Sequence, residues 1–174
     1  MSKHVQKVRV PVRLSQPNLD PRDGSFLLLP RLESEDRPET IVDLLNSSLT
    51  VIPFIVGEDD AVLLVMRANI DWVAVGDGVP PALIHPPGAR GHRQQRVQLR
   101  FVDESRVDAV IEWSDEHGGV RLSDFLNSGD PFVAVRTGFG TLLVNKLRIR
   151  ETLIVSEASS AAAATDPRRF RAAS

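Results

Sequence analysis

A chain of 174 residues, 42% hydrophobic and 25% charged, has the length and composition of one ordinary soluble domain or two very small ones. A net charge of −2 gives no bulk attraction to phosphate backbones or anionic membranes, and the absence of cysteine excludes disulfides, thiolate metal sites and cysteine nucleophiles. Residues 1–6 are polar with no apolar h-region behind them, and no apolar run is long enough for a bilayer, so a cytoplasmic location without membrane insertion is expected.

In chain order, residues 7–14 place Val8, Val10, Val12 and Leu14 at every second position, the period of a half-buried strand, and a second extended segment covers 26–32. Residues 39–46 then switch period. Ile41, Leu44 and Leu45 fall on one face of a two-turn helix, with Asp36, Pro38 and Glu39 as an entry signal and Asn46 placed to close it in the left-handed conformation. A strand over 50–56 follows, and Pro53 within it predicts an edge position, because proline cannot donate to a ladder. Gly57 to Asp60 make a tight connection into 61–67, and 70–75 is again β-prone.

Residues 76–95 carry Pro80-Pro81, Pro86-Pro87 and Gly88-Ala89-Arg90-Gly91, the punctuation of a linker, with Ala82-Leu83-Ile84 as an apolar island able to dock. The same order of elements then returns. Strands are predicted over 96–102 (Val97, Leu99 and Phe101 alternating) and 107–113, and a helix over 120–127 with Leu122, Phe125 and Leu126 on one face. Strands over 132–136 and 141–144 flank a turn at Thr137 to Gly140, and 149–155 closes the series. Both helices contain one string, Asp43-Leu44-Leu45-Asn46-Ser47 and Asp124-Phe125-Leu126-Asn127-Ser128. The expected architecture is therefore α+β, mostly β: two diverged copies of one small unit at 7–75 and 96–157. Each is a small curved sheet or partly open barrel of about five strands with one short helix. The Ser/Ala-rich segment 158–174, ending in an Arg-rich stretch, reads as a disordered tail.

The second unit resembles a family of short, uncharacterised bacterial domains through Leu122-Ser123-Asp124-Phe125-Leu126-Asn127, Phe132 and Val144-Asn145-Lys146. The first unit keeps the helix string but has Met66-Arg67 where that family has Asn-Lys. The strand order is also similar to Sm-like and SH3-like barrels. Neither resemblance implies an activity.

The chemistry-bearing residues offer little to a catalyst. His4, His85, His92 and His117 lack metal-pair spacing, Asp59-Asp60 sits in a turn, and nucleophile-elbow, Walker and dinucleotide fingerprints are missing. No metal and no cofactor are expected. Arg93, Arg96 and Arg100 form the one suggestive cluster. Arg96 and Arg100 resemble the arginine pair with which PilZ domains hold cyclic di-GMP, although Asn127-Ser128-Gly129 is wrongly spaced for the rest of that motif. RNA phosphate is the other ligand these arginines suit, but no aromatic residues interleave with them for stacking. Trp72 and Trp113 fit either core packing or a protein interface. The expected role is a non-catalytic protein-interaction, scaffold or adaptor module of a bacterial cytoplasmic system, with a protein partner or self-association involving Pro53, Trp72 and Trp113. The alternative is a regulator binding a cyclic dinucleotide or RNA through the three arginines.

Overall fold

The computed structural model of the chain describes residues 6–32, 35–57, 60–87, 93–114, 120–127 and 129–155. In the first half these form β1 (Val8–Ser15), β2 (Arg22–Leu28), α1 (Ile41–Asn46), β3 (Val51–Val56), β4 (Ala61–Met66), a 3-10 turn at Arg67–Asn69 and β5 (Trp72–Val75). A short helix, α2 (Pro81–Ile84), separates the halves. The second half is β6 (Arg93–Phe101), β7 (Arg106–Trp113), α3 (Leu122–Asn127), β8 (Phe132–Thr137), β9 (Gly140–Asn145), a 3-10 turn at Lys146–Arg148 and β10 (Ile149–Ile154).

Period-two alternation places the strands as expected: Val10, Val12 and Leu14 of β1 and Val97, Leu99 and Phe101 of β6 are all buried. The class is mostly β, but the strands do not make two tandem sheets with one helix each. Among the described residues they form a single antiparallel sheet of ten strands, open at both ends, in the order β10-β6-β7-β8-β9-β5-β1-β2-β3-β4, with three α-helices. The fusion lies at β5 and β9, where Trp72 pairs with Val144, Val73 with Leu143, Ala74 with Leu142 and Val75 with Thr141.

On either side of that joint the strands follow the same order: fifth, first, second, third, fourth. The registers agree as well. Val12 lies between Gly24 and Val75, as Val97 lies between Ala109 and Ile154. Ser25 meets Ile55 as Val110 meets Arg136, and Val51 meets Met66 as Phe132 meets Asn145. A residue in one half thus has a positional counterpart in the other.

Two expectations about α1 are corrected. The helix begins at Ile41, and its capping box is Thr40 with Asp43: Asp43 N–H donates to Thr40 Oγ1 (3.1 Å) while Thr40 N–H donates to the Asp43 carboxylate (2.8 Å). Asp36, Pro38 and Glu39 lie before the helix, and the Glu39 carboxylate accepts the Leu29 N–H at 2.7 Å. Nor does Asn46 close the helix in a left-handed conformation: Ser47, extended, is the C-cap, and Asn46 is not among the positive-φ residues. Its amide is used elsewhere. Gly129 beyond α3 does have positive φ.

The stretch at 76–95 holds more structure than a spacer. Val79 and Ile84 are buried in the first core and α2 packs against α1, while Arg93 to Gln95 already belong to β6. The residues at 158–174, with the Arg-rich stretch, lie outside the described residues, as do His4, His92, His117 and Asp59.

Candidate functional site

Two kinds of place can position a partner here: the seam where the halves meet, and the two outer strands, which among the described residues are paired on one side only. At the seam, period two puts successive side chains on opposite faces of the sheet. Trp72 and Ala74 of β5, Leu142 and Val144 of β9 and Val133 and Val135 of β8 belong to the core of the second half. Their alternates Val73 and Val75, Leu143, and Phe132 and Ala134 pack in the core of the first half. These three strands are thus covered on both faces, which is why β5 reads Trp-Val-Ala-Val without a polar break.

Polar bonds lock the same joint. Asn46 of α1 grips the backbone of Phe132 in the other half, its Nδ2–H donating to Phe132 O (3.1 Å) and its Oδ1 accepting from Phe132 N–H (2.8 Å). Asn145 Nδ2–H donates to Ile70 O at 2.9 Å, and Arg148 Nε–H donates to the buried Asp71 carboxylate at 2.7 Å. One backbone donor, two backbone acceptors and one oxygen of a buried carboxylate are so satisfied, where each would be costly unpaired.

The outer strands are the same positions without the neighbour. In β4, Leu63 and Val65 turn toward the first core, while Val62 (60% exposed), Leu64 (67%) and Met66 face outward. Leu64 pairs with Pro53 of β3, as Leu143 pairs with Ala134. Leu143 is 0% exposed because the first half covers it. At the far end of the sheet, β10 exposes Leu153 (61%) and Ile154 (59%). Strand β4 contains no charge and no proline, the usual guards of an edge.

Of the expected interface residues, Pro53 is exposed, but β3 is the penultimate strand and β4 is the edge. Proline is tolerated there because β3 meets β2 at one register pair only, Ser25 with Ile55, so no ladder bond is needed from position 53. Neither tryptophan is exposed. Trp72 is buried in the seam. Trp113 is buried in the second core, donates through Nε1–H to Val120 O (3.1 Å) and stacks on Phe125 with ring centroids 6.2 Å apart.

The arginine cluster does not converge. Arg96 and Arg100 lie on one face of β6, and Arg93 lies on the face of Val97 and Leu99. Arg100 is held by Glu104 and by Glu151 (3.1 Å), so its fork is already occupied. His85, half-buried after α2, has its imidazole pulled below the ordinary value by burial, with Glu112 opposing. Among the described residues no three His, Cys, Asp or Glu side chains gather as a metal site, and no helix is long and apolar enough to cross a membrane. A shallow hollow is lined by Asn18, Leu19, Asp20 and Asp103.

Sequence reasoning missed Leu64, Leu153, Asn46 and Asn127. The signals were present: Leu63-Leu64-Val65 recurs as Leu142-Leu143-Val144 at one register, and β4 is an uncharged run. No family model, no curated protein and no solved structure matches the chain.

Proposed function

We propose that the protein is a non-catalytic interaction and scaffold module of a bacterial cytoplasmic system, built from two diverged copies of one five-stranded unit joined side to side, that engages protein partners through its outer strands. The observation that carries this reading is Leu64. It sits two-thirds exposed in an uncharged edge strand, at the place whose counterpart, Leu143, is plugged into a neighbouring core. An unpaired edge offers a row of backbone donors and acceptors, and an adjacent apolar face supplies side-chain selectivity, the ingredients of strand addition. The duplication is supported by the repeated strand order, the matched registers and the shared helix string.

Native-lysate capture by wild type, Leu64→Arg and Leu153→Arg tests it. The expected outcome is a set of proteins held by wild type and lost with one or other edge variant. Identical recovery with all three baits, or none with any, overturns the reading.

A further inference from the structure

We infer that the partner fitting these edges is a second copy of this chain, docked head to tail, β4 of one molecule against β10 of the next, in the register of the internal seam. The inference rests on the interaction reading and names its partner. The template is the chain itself: the seam joins the fourth strand of one unit (β9) to the fifth strand of the other (β5), and the strands left over are a fourth (β4) and a fifth (β10). Each molecule therefore carries both faces of a joint it has already made once.

Transferring the register fixes the pairs. Val73 opposite Leu143 becomes Thr152 opposite Leu64 of the next copy, and Ala74 opposite Leu142 becomes Leu153 opposite Leu63. Trp72 opposite Val144 becomes Glu151 opposite Val65, and Val75 opposite Thr141 becomes Ile154 opposite Val62. Four of the exposed apolar side chains of the two edges, Val62, Leu64, Leu153 and Ile154, fall within this pairing, and Met66 lies just beyond it.

Asn127 gives an independent mark. It is the counterpart of Asn46, yet it is exposed and its side chain makes no hydrogen bond among the described residues. Its counterpart target is the backbone of Val51. There Thr50 O accepts from Arg67 N–H (2.9 Å) as Pro131 O accepts from Lys146 N–H (2.8 Å) beside Phe132, so Val51 N–H and C=O point to the open side as those of Phe132 do. In the joint between copies, Asn127 of one molecule grips Val51 of the next. The seam's other bonds are not repeated: Asp71 and Arg148 are replaced by Arg150 and Asn69, and Asn145 by Met66. The joint between copies is thus weaker than the seam and forms with rising concentration. A joint between unlike surfaces closes into a ring or propagates as a filament.

The chain has no cysteine, so Leu64→Cys with Thr152→Cys places a single candidate disulfide at the joint, and paired antiparallel strands hold Cα atoms within the span a disulfide needs. The two positions lie at opposite ends of the open sheet. Under oxidation we expect a ladder of covalent multimers, no ladder from Leu64→Cys with Glu151→Cys, whose second thiol faces the other side, and at most dimers from either single variant. Sedimentation velocity of the full chain should show mass growing with concentration, lost in Leu64→Arg and reduced in Asn127→Ala. An unchanged circular dichroism spectrum establishes that the exposed-site variants are folded. A wild type that stays monomeric at its highest soluble concentration, an equal ladder from the off-register pair, or dimers from Leu64→Cys alone as abundant as those of the double variant overturns the inference. A monomer that still captures edge-dependent proteins from lysate overturns this inference alone and leaves the interaction module standing.

Discussion

Leu64 and Leu143 hold the same place in the two halves, each on the fourth strand and each paired with the third residue of the strand before it. One is buried by the neighbouring half and the other faces solvent. The difference is one of neighbours, because the local string Leu-Leu-Val is the same on both strands. The halves differ inside too. Where β2 pairs with β3, the first half sets Gly24 beside Phe54, and the positional counterparts in the second half are Ala109 and Val135. A large ring beside no side chain in one half corresponds to one small and one medium side chain in the other, so volume is exchanged within a fixed backbone plan.

The largest expected effect breaks the first of these comparisons. Leu143→Ala removes a fully buried side chain shared with the first core and should cost about 2–5 kcal/mol. Leu64→Ala, measured by the same denaturant titration at dilute protein, should stay within about 0.5 kcal/mol. Equal losses at the two positions show that β4 is covered already in the single molecule.

The volume exchange predicts a coupled pair. A Cβ on Gly24 falls 2.4 Å from Phe54 Cζ and 2.4 Å from Ile55 O, so Gly24→Ala should cost about 1–3 kcal/mol through overpacking. Phe54→Val imports the side chain of the second half and relieves the ring contact, though not the one with Ile55 O. It forfeits the edge-to-face contact with Phe26 (centroids 5.5 Å apart) but should be less harmful in the Gly24→Ala background than in wild type. Strict additivity of the two losses in a double-mutant cycle sinks the exchange.

Asn46→Ala leaves the Phe132 N–H without its acceptor at a half-buried site and should cost about 1–3 kcal/mol. Asn127→Ala in dilute monomer should be close to neutral, since nothing among the described residues uses that amide.

How much of this the sequence displayed follows from the range of each interaction. Strands and helices were legible because alternation in β1 and β6 and the i, i+3, i+4 sets of α1 and α3 are local. The shared Asp-x-Leu-Asn string was visible, but not its division of labour: Asp43 caps its own helix, and Asn46 reaches into the other half. That second job depends on the β5–β9 pairing, a contact between segments far apart in the chain that no local period encodes. One trace of it was readable. Trp72–Val75 is apolar at every position, the mark of a strand covered on both faces, while its counterpart in β10, residues 151–154, carries Glu151 and Thr152. Taking Pro53 as the sign of an edge strand came within one strand of the edge and misplaced it, because proline reports only the missing bond on its own side.

The smallest expected effect sharpens the comparison of the two helix entries. Both helices turn the Asp of the string back to the residue before the helix, Asp43 to Thr40 N–H and Asp124 to Arg121 N–H (3.0 Å), but only Thr40 has a hydroxyl to return the bond, and among the described residues only Asp43 carries a guanidinium partner, Arg37 at 2.6 Å. Burial by itself raises the Asp43 carboxyl, and the hydrogen bonds from Arg37 and Thr40 outweigh it, so the group sits below the ordinary carboxylate range. A carboxyl depressed in the folded state adds stability that is fully present above the unfolded value of about 4, and that stability is lost as pH falls through the lower folded value. Asp43→Asn should therefore cost about 0.3–1 kcal/mol at neutral pH, the usual worth of a first-turn carboxylate, and the difference from wild type should shrink toward the acid end of a stability–pH series. A gap that instead stays constant on acidification assigns the loss to the shape of the capping box and not to its charge.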